Sequence, residues 1–522
     1  MREINGGAPL RFRGIFSRKF FYGGNALSYI QLDHIAYTYP SGLAPVFEDL
    51  TLHLDTDWKL GIIGRNGMGK STFFKLLAGE ITGEGRISAE RSFLRFPLPD
   101  PDETLSGYDF SAKYLDESSQ WKVLREAHLL GLSEELLFRP IGTLSGGERT
   151  KLQLAVLFAS DGFPLLDEPT DHLDAAGRAA LARYLAAKRG FFLVSHDRTV
   201  LDGCCDHILC FEKTGATVTR GNYSVWKEER EKRERADSVK KEKLEKERTR
   251  LQEAARRISE WANAAEGEKF GTRNSGLRPD RGFVGASAAR VMKRAVTTRD
   301  RTARAEEGIA ELLKGYEEIE TLRLFPEPFF RARLFSVSDL SVRYGEKYAL
   351  RQFDFSMNSG ERVALIGGNG TGKSTFLKVL AGELTACGTI DLSPRLKISY
   401  VPQIALYEGT LADYAADYGI DEAYFKAILA KFGFSRRDFS RDMREMSEGQ
   451  KKKAALARSL CERAHLYIWD EPLNYLDIAS REQVEKAVLS SGASLLFVEH
   501  DAAFTAAVAT RTVEFLPPDR EN

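Results

Sequence analysis

The string GRNGMGKST at Gly64–Thr72 recurs as GGNGTGKST at Gly367–Thr375, displaced by 303 positions. Three further motifs repeat at nearly the same offset: the DEP tripeptides beginning at Asp167 and Asp470 (303 positions), the histidines His196 and His500 (304), and the serines Ser145 and Ser447 (302). A nearly constant offset across separate motifs indicates duplication of a whole domain. The chain is therefore predicted to contain two copies of one phosphate-binding α/β domain.

Length and composition limit the class of protein further. The chain has 522 residues, enough for two or three domains with cores of their own, and its 75 Lys and Arg residues balance its 75 Asp and Glu residues. No run approaches the length of about 18 apolar residues that a membrane helix needs. No apolar run follows the basic residues near the N-terminus, as it would in a secretory signal. A cytoplasmic protein with free thiols is expected.

Three of the five cysteines, Cys204, Cys205 and Cys210, lie close to His207 and raise the alternative of a metal site. The favoured interpretation is that DHILCFEK forms a strand whose small apolar residues are buried.

Each glycine-rich string follows a short apolar segment and precedes a predicted helix. This order suits a phosphate cradle, because the loop exposes backbone N–H groups and the helix N-terminus adds its positive dipole end. The lysine is predicted to reach the β- and γ-phosphates of ATP, and the following serine to ligate Mg²⁺. The predicted nucleotide-binding residues are Gly64, Asn66, Gly67, Gly69, Lys70, Ser71 and Thr72 in the first copy and Gly367, Asn369, Gly370, Gly372, Lys373, Ser374 and Thr375 in the second.

The DEP motifs and the two histidines supply the predicted hydrolytic groups. Asp470 ends an apolar strand and is predicted to hold Mg²⁺, with Glu471 placed to polarise the attacking water. His500 is predicted to contact the γ-phosphate, and Gln403 to lie between Mg²⁺ and the water. In the first copy the same roles are assigned to Asp167, Glu168 and His196. ATP and Mg²⁺ are thus the expected substrate and cofactor.

The segment before each DEP motif is LSGGE (Leu144–Glu148) in the first copy and MSEGQ (Met446–Gln450) in the second, and both resemble the signature of the ATP-binding cassette (ABC) superfamily. The resemblance implies that two cassettes close head-to-tail, with each ATP between one phosphate loop and the opposite signature. The signature residues assigned to nucleotide are Ser145, Gly146, Gly147, Glu148, Ser447, Gly449 and Gln450. Tyr39 and Tyr344 align with the adenine-stacking aromatic of the family, although ordinary strand aromatics remain an alternative.

Two departures from the family pattern fall in the same ATP site. Leu98 stands where Gln403 stands in the second copy, and Glu448 replaces a signature glycine. Both belong to the site built on Lys70. The sequence therefore predicts a slower first site, built on Lys70, and a more competent second site, built on Lys373.

Residues 225–333, between the two copies, have a different character. Leu244, Leu251 and Ile258 recur at heptad spacing in the first part, and a second apolar series begins at Ile309, which predicts two antiparallel helices. About 40 residues per helix give a rod of about 60 Å. Glycines mark a tip in which ten basic residues face two acidic ones between Lys269 and Arg304. Such one-sided charge favours RNA contact over a solvated helix face. The predicted RNA-contacting residues are Lys269, Arg273, Arg278, Arg281, Arg290, Lys293 and Arg294.

Tandem cassettes, a basic helical hairpin and no apparent membrane segment resemble the ABC-F family of translation factors. Stretches such as SEGQKKK and FVEHDAAF are similar to its antibiotic-resistance branch of the Lsa/Vga type. The resemblance implies a monomer that binds the 70S ribosome (23S rRNA and P-site tRNA) in its exit site and dislodges lincosamide, streptogramin A or pleuromutilin antibiotics. A housekeeping ABC-F factor and the ATPase subunit of an efflux transporter remain alternatives.

The predicted domain order is an N-terminal extension (1–28), a first cassette (29–224), the hairpin linker (225–333) and a second cassette (334–522). One hypothesis is that the extension is a mis-annotated start and that translation begins at Leu27, with translation from Met1 as the alternative.

Overall fold

The computed structural model describes residues 29–267 and 322–516, with gaps at 41–43, 100–101, 172, 213–214 and 346, and seven residues in between (293, 297, 301, 303, 304, 305 and 307). The predicted extension 1–28 lies outside the described residues, and so do all the predicted RNA-contacting residues except Lys293. The chain divides into two compact units. One combines Met1–Ser224 with Thr321–Asn522, and the other is Val225–Glu320.

The first cassette contains an antiparallel sheet of order β2-β1-β4 and a six-stranded, mainly parallel sheet of order β5-β6-β7-β3-β8-β9. The strands at the centre of the parallel sheet are continuous apolar runs, as expected for strands covered on both faces. Its elements are β1 (Tyr29–Tyr37), β2 (Phe47–Asp55), β3 (Lys59–Gly64), α1 (Lys70–Leu77), β4 (Glu84–Ser88), β5 (Phe93–Phe96), α2 (Gly107–Ser111), α3 (Gln120–Leu129), α4 (Glu134–Leu137), α5 (Gly146–Ala159), β6 (Phe163–Asp167), α6 (Ala175–Ala186), β7 (Phe191–Val194), α7 (Arg198–Cys204), β8 (His207–Glu212) and β9 (Gly215–Arg220).

The first arm of the predicted hairpin is a single helix, α8 (Tyr223–Gly267), of 45 residues. At a rise of about 1.5 Å per residue it extends over about 68 Å. Ion pairs at i,i+4 spacing line its surface, including Arg230–Glu234 at 2.7 Å and Lys246–Glu242 at 2.6 Å. Such pairs support a helix whose sequence offers little apolar surface.

The second cassette repeats the architecture, with an antiparallel sheet of order β12-β11-β14 and a parallel sheet of order β15-β17-β18-β13-β19. This order matches β5-β6-β7-β3-β8 of the first cassette, so the predicted duplication is confirmed. Its elements are β10 (Phe325–Pro326), β11 (Arg333–Tyr344), β12 (Lys347–Asn358), β13 (Arg362–Ile366), α9 (Lys373–Leu380), β14 (Cys387–Leu392), β15 (Ile398–Val401), α10 (Leu411–Asp417), α11 (Glu422–Lys431), α12 (Glu448–Cys461), β16 (Arg463–Ala464), β17 (Leu466–Asp470), α13 (Ile478–Ser491), β18 (Leu495–Val498), α14 (Ala502–Val508) and β19 (Arg511–Glu514).

Residues 322–332, assigned to the linker from the sequence, pack with the second cassette. Leu322 and Leu324 are buried in its core cluster, and β10 pairs in parallel with β16. The reason is the apolar spacing of this short segment, which gives it a buried face.

An aromatic pair anchors each phosphate-loop helix to its sheet. Phe73 and Phe376, three residues after the two loop lysines, are fully buried. Each meets a second aromatic from an adjacent strand or its end, Phe211 at 5.4 Å and Phe515 at 5.8 Å between ring centroids. The same packing therefore holds both phosphate loops at the carboxyl ends of the parallel strands, where ligands of open α/β sheets bind.

Candidate nucleotide-binding sites

The two phosphate loops have closely similar geometry. Lys70 Nζ donates to the carbonyl oxygens of Gly64 (2.7 Å) and Arg65 (3.2 Å). Lys373 Nζ donates to Gly367 (2.8 Å) and Gly368 (2.6 Å). Loop carbonyls thus hold each lysine ammonium within the phosphate loop. There it can replace these carbonyl partners with phosphate oxygens.

The glycine before each loop lysine is required by its surroundings. Gly69 has φ 89° and Gly372 has φ 92°, in the left-handed region. A Cβ at Gly372 would lie 2.2 Å from the carbonyl oxygen of Ala349, and one at Gly69 would lie 2.6 Å from a methyl group of Val46. The antiparallel sheet therefore packs directly on the loop and fixes the start of the helix.

The second site has a hydroxyl and a carboxylate suited to Mg²⁺. Ser374 Oγ donates to Asp470 Oδ1 at 3.1 Å. The other oxygen, Oδ2, is buried and has no hydrogen-bond partner among the described residues. Burial raises the pKa of Asp470 to about 6. A buried carboxylate oxygen without a partner, next to a serine hydroxyl, fits a hard divalent cation that prefers oxygen ligands.

In the first site, the guanidinium group of Arg95 contacts the corresponding serine–aspartate pair. Ser71 Oγ lies 3.4 Å from Asp167 Oδ1, and Arg95 Nη1 lies 3.3 Å from Asp167 Oδ2. Arg95 also binds Glu80, with Nε to Oε1 at 2.8 Å. Burial raises the pKa of Asp167, and the Ser71 hydroxyl and the Arg95 guanidinium oppose that effect. Motif reading missed Arg95, although its strand β5 pairs with β6, which ends in Asp167.

The predicted catalytic carboxylate of the first site is locked to the backbone. His196 N–H donates to Glu168 Oε2 at 3.1 Å, and His196 Nε2 lies 3.3 Å from Oε1. Burial, followed by the nearby Asp171 carboxylate, raises the pKa of Glu168 to about 8. Burial also holds the pKa of His196 well below its usual value. Glu168 thus favours its neutral form in this conformation.

In the second site, the equivalent carboxylate, Glu471, has different hydrogen-bond partners. Asn474 Nδ2 donates to Glu471 Oε2 at 2.7 Å, and His500 Nε2 lies 3.4 Å from Oε1. Burial acts to raise the pKa of Glu471, but hydrogen bonding and charge from His500, with help from Lys452 and Asn474, hold it below its usual value. Asn474 occupies the place of Asp171, so an amide donor replaces a carboxylate. The two sites therefore differ in chemistry at the residue three places after the glutamate, which is Asp171 in the first copy and Asn474 in the second.

Gln403 and Leu98, which occupy equivalent positions in the two copies, lie in different surroundings. Gln403 is exposed, and Leu98 is buried with its N–H donating to Gln153 Oε1 at 3.0 Å. Lys452 holds the Gln403 loop in place, because its Nζ donates to the carbonyl oxygen of Pro402 at 2.6 Å and to that of Asp470. No hydrogen bond joins the Gln403 side chain to Ser374 or Asp470 in the described part of the chain. Its role as a metal ligand stays a prediction.

The two signature segments form helix caps. Ser145 caps α5 in a capping box with Glu148, and Ser447 caps α12 in a capping box with Gln450. In this arrangement the serine and the residue three places later satisfy each other's backbone N–H groups. Gly449 lies against the side chain of Tyr475, since a Cβ there would be 2.9 Å from Tyr475 Cγ. The signature residues therefore have structural roles beside their predicted contact with nucleotide.

The loop after Glu471 reaches the phosphate loop of the first cassette. Asn66 N–H donates to Asp477 Oδ2 at 2.9 Å, and Asn66 Nδ2 donates to the carbonyl oxygen of Tyr475 at 3.0 Å. The equivalent pair, Asn369 and Asp174, shares no hydrogen bond within the described ranges. This asparagine–aspartate pair therefore joins the two cassettes at the first site only.

The predicted aromatic and cysteine groups are placed as follows. Tyr39 Oη lies 2.9 Å from Thr72 Oγ1, next to the first phosphate loop, whereas Tyr344 is exposed at the end of β11. Their stacking on adenine stays a prediction. His207 stacks on Trp58 at 4.1 Å between ring centroids. Among the described residues no group of three or more His, Cys, Asp or Glu is arranged to hold a metal ion.

Comparisons with known proteins agree with this architecture. The ABC transporter family model matches residues 47–171 and 350–474. The ribosome protection protein VmlR of Bacillus subtilis (strain 168) is 29% identical over 478 residues, which cover 88% of this chain and 82% of VmlR. The energy-dependent translational throttle protein EttA of Escherichia coli O6:H1 is 27% identical over 532 residues, covering 90% of this chain and 89% of EttA.

Solved structures show the same fold. The archaeal ribosome recycling factor aABCE1, in complex with the stalk protein aP1, matches with a TM-score of 0.59 at 22% identity, covering 93% of this chain and 88% of that one. None of the helices in the part of the chain that the structure describes is long and apolar enough to cross a membrane.

The fold and the paired phosphate loops define an ATPase with two tandem ABC cassettes. With these relatives, the predicted resemblance to the ABC-F family is confirmed. The Lsa/Vga type within the family stays a proposal.

Proposed function

We propose that the protein protects ribosomes from antibiotics. In this proposal it binds the ribosomal exit site, and the linker hairpin displaces P-site tRNA so that drugs of the lincosamide, streptogramin A or pleuromutilin type leave the peptidyl-transferase centre. The observation that carries the proposal is the 45-residue polar helix α8 between two ATP-binding cassettes, leading to a strongly basic tip sequence. Similarity to a ribosome protection protein over 88% of the chain supports it.

ATP is proposed to close the two cassettes, and its hydrolysis to reopen them. Glu168 and Glu471 orient the attacking water, His196 and His500 contact the γ-phosphate, and Lys70 and Lys373 bind phosphate oxygens. Mg²⁺ would be held by Ser374 and Asp470 in the second site and by Ser71 and Asp167 in the first, where it would neutralise charge on the phosphates. A nucleotide-dependent change in ribosome affinity is a population switch and requires no contact with the drug.

Unequal sites are part of the proposal. Arg95 at Asp167 and Asp171 beside Glu168 both act on the first site, and the imperfect signature Met446–Gln450 serves it as well. Cations and carboxylates placed in this way oppose Mg²⁺ binding and ionisation of the water-orienting group. The second site is therefore proposed as the faster one.

A second candidate function is a housekeeping ABC-F factor that paces or rescues ribosomes without drugs. The similarity to the translational throttle protein EttA, over 90% of this chain, supports it. The two functions share ATP-dependent ribosome binding and differ in the phenotype of a deletion strain.

Ribosome co-sedimentation of the Glu168→Gln, Glu471→Gln double variant tests both candidates. With ATP, this variant is expected to pellet with 70S ribosomes, and without nucleotide it is expected to stay in the supernatant. A Lys70→Ala, Lys373→Ala variant is the matched control, since it lacks both phosphate contacts. No pelleting in either nucleotide state would contradict ribosome action.

Drug susceptibility then separates the two candidates. Expression in a strain lacking the gene should raise resistance to at least one of the three drug classes if the protein protects ribosomes. A growth defect on deletion, without any change in drug susceptibility, would favour the housekeeping function.

A further inference from the structure

Glu499 belongs to none of the predicted site residues, yet it directly precedes His500. The first cassette has Ser195 at this place, so VSHD in the first copy becomes VEHD in the second. Glu499 is only 7% exposed. Burying a carboxylate is costly unless hydrogen bonds compensate, so a buried glutamate in place of serine needs partners.

Both carboxylate oxygens of Glu499 accept hydrogen bonds from the backbone. Oε1 accepts the N–H of His500 at 2.7 Å and that of Asp501 at 3.3 Å. Oε2 accepts the N–H of Leu473 at 3.1 Å. Leu473 lies two residues after Glu471, so one carboxylate joins the turn that carries His500 to the loop that carries Glu471.

The first cassette joins the corresponding turn and loop by a long contact between two hydroxyl groups, since Thr170 occupies the place of Leu473. Ser195 Oγ accepts the N–H of Asp197 at 3.1 Å and lies 3.4 Å from Thr170 Oγ1. The backbone N–H of His196 donates instead to Glu168 Oε2 at 3.1 Å. In the first site, the backbone N–H of the histidine thus donates to the water-orienting carboxylate, Glu168. In the second site, the equivalent N–H donates to Glu499 instead of Glu471.

We infer that Glu499 is a positioning residue of the second ATP site. By accepting the His500 N–H it leaves Glu471 without a backbone anchor, and Glu471 Oε2 instead accepts from the Asn474 side chain at 2.7 Å. By accepting the Leu473 N–H it also fixes the loop that follows Glu471. A side-chain amide can move with its carboxylate more readily than a strand-end N–H, so Glu471 stays available to a water molecule.

The inference rests on the catalytic roles proposed above for Glu471 and His500, and on no contact with the ribosome. It also explains the serine-to-glutamate difference between the two copies by a function rather than by packing alone. Together with Asn474, Glu499 gives Glu471 hydrogen bonds that differ from those of Glu168.

The test uses the full chain carrying Glu168→Gln, so that only the second site turns over. In this background Glu499→Ser introduces the residue with which the first cassette already folds. It is expected to lower kcat about 10- to 100-fold, as misplacement of a reacting group does. The Kd for a fluorescent ATP analogue should change less than about twofold. Glu499→Gln, which keeps one oxygen acceptor, should give an intermediate loss.

A matched control removes a similar carboxylate–backbone bond elsewhere in the same cassette. Glu361 accepts the N–H of Asn358 at 2.9 Å, at the end of β13 opposite the phosphate loop. In the Glu168→Gln background, Glu361→Ser should leave kcat of the second site within about twofold of its parent.

Two results would overturn the inference. One is an unchanged kcat for Glu499→Ser in the Glu168→Gln background. The other is an equal loss in a Glu471→Gln background, where only the first site turns over, together with a lowered urea midpoint, which would indicate a purely structural role. Residual turnover of the Glu168→Gln, Glu471→Gln double variant would refute the roles of the glutamates themselves, and the inference would fall with them.

Discussion

Arg95 places its guanidinium Nη1 3.3 Å from Oδ2 of Asp167, the carboxylate predicted to hold Mg²⁺ in the first site. Tyr400 stands in the place of Arg95 in the second cassette, where Asp470 Oδ2 has no hydrogen-bond partner among the described residues. Arg95, on a neighbouring strand, therefore makes the two serine–aspartate pairs unequal toward a cation.

Replacing Arg95 by the second-cassette residue should strengthen metal binding at the first site. Arg95→Tyr removes a positive charge next to Asp167, and a partly exposed pair of this kind is worth about 1 kcal/mol, or about fivefold in affinity. Mn²⁺ titration by electron paramagnetic resonance, with a non-hydrolysable ATP analogue and Ser374→Ala to weaken the second site, measures the change. Arg95→Lys keeps the charge and is the control. Equal Mn²⁺ affinity in all three proteins would contradict the prediction.

The sequence was sufficient to predict the two cassettes and the residues of their motifs. Phosphate and Mg²⁺ require particular residue types at fixed spacing, and the duplication at Lys70 and Lys373 tests each motif against its copy. Arg95 could not be found in this way, because it acts across the pairing of β5 with β6 rather than along the chain. Glu499 was missed for a similar reason, since its partner Leu473 lies on a different loop.

The limits of the linker were also predictable only in part. A change to a charged, heptad-patterned sequence indicated the start of the helix near Val225. The return to the second cassette is marked by Leu322 and Leu324, which are buried in its core. Two apolar residues are too few to form a recognisable sequence pattern. Packing, rather than composition, decides that boundary.

The stability of the nucleotide-free protein should respond to pH in opposite directions at the two glutamates. Burial and Asp171 raise the pKa of Glu168 from 4.5 to about 8. Between these values the unfolded chain releases its proton first, so this group destabilises the fold increasingly as pH rises. Glu168→Gln is therefore expected to raise the urea midpoint at pH 8 and to raise it less at pH 5.

Glu471→Gln is the matched variant for that experiment. Against the effect of burial, interactions with His500 and Asn474 hold the pKa of Glu471 below its ordinary value. Its contribution to stability is present above the unfolded pKa and is lost as pH falls through the folded one. The substitution should therefore lower the midpoint at pH 8. The same sign for both variants at pH 8 would refute the difference between the sites.

Single substitutions should also divide ATP turnover unequally. Glu471→Gln is expected to remove the larger share of steady-state phosphate release, because the second site has the unopposed metal pair and the lower glutamate pKa. Glu168→Gln should remove the smaller share. Phosphate release measured for both variants at saturating ATP decides this, and equal losses would remove the asymmetry.

Arg198 offers a test of the contact between the two cassettes. Arg198 is only 6% exposed. Its Nη2 lies 2.9 Å from Glu485 Oε2 and 3.6 Å from Asp501 Oδ2, both in the second cassette. Ala502 takes its place in the second copy, so the duplicated position on that side carries no such cation. Arg198 therefore makes a one-sided connection between α7 and α13.

Arg198→Ala should lower the free energy of unfolding by about 2 kcal/mol or more, since it removes one of the two arginines that contact buried Asp501 and takes this partner from Glu485. Urea unfolding at low and high salt measures the loss, which should persist at high salt because the pair is buried. Arg235→Ala is the control: its pair with Glu231 at 3.3 Å is exposed on α8, where such pairs contribute about 0.5 kcal/mol or less. If both substitutions have the same small effect, Arg198 does not hold the cassettes together.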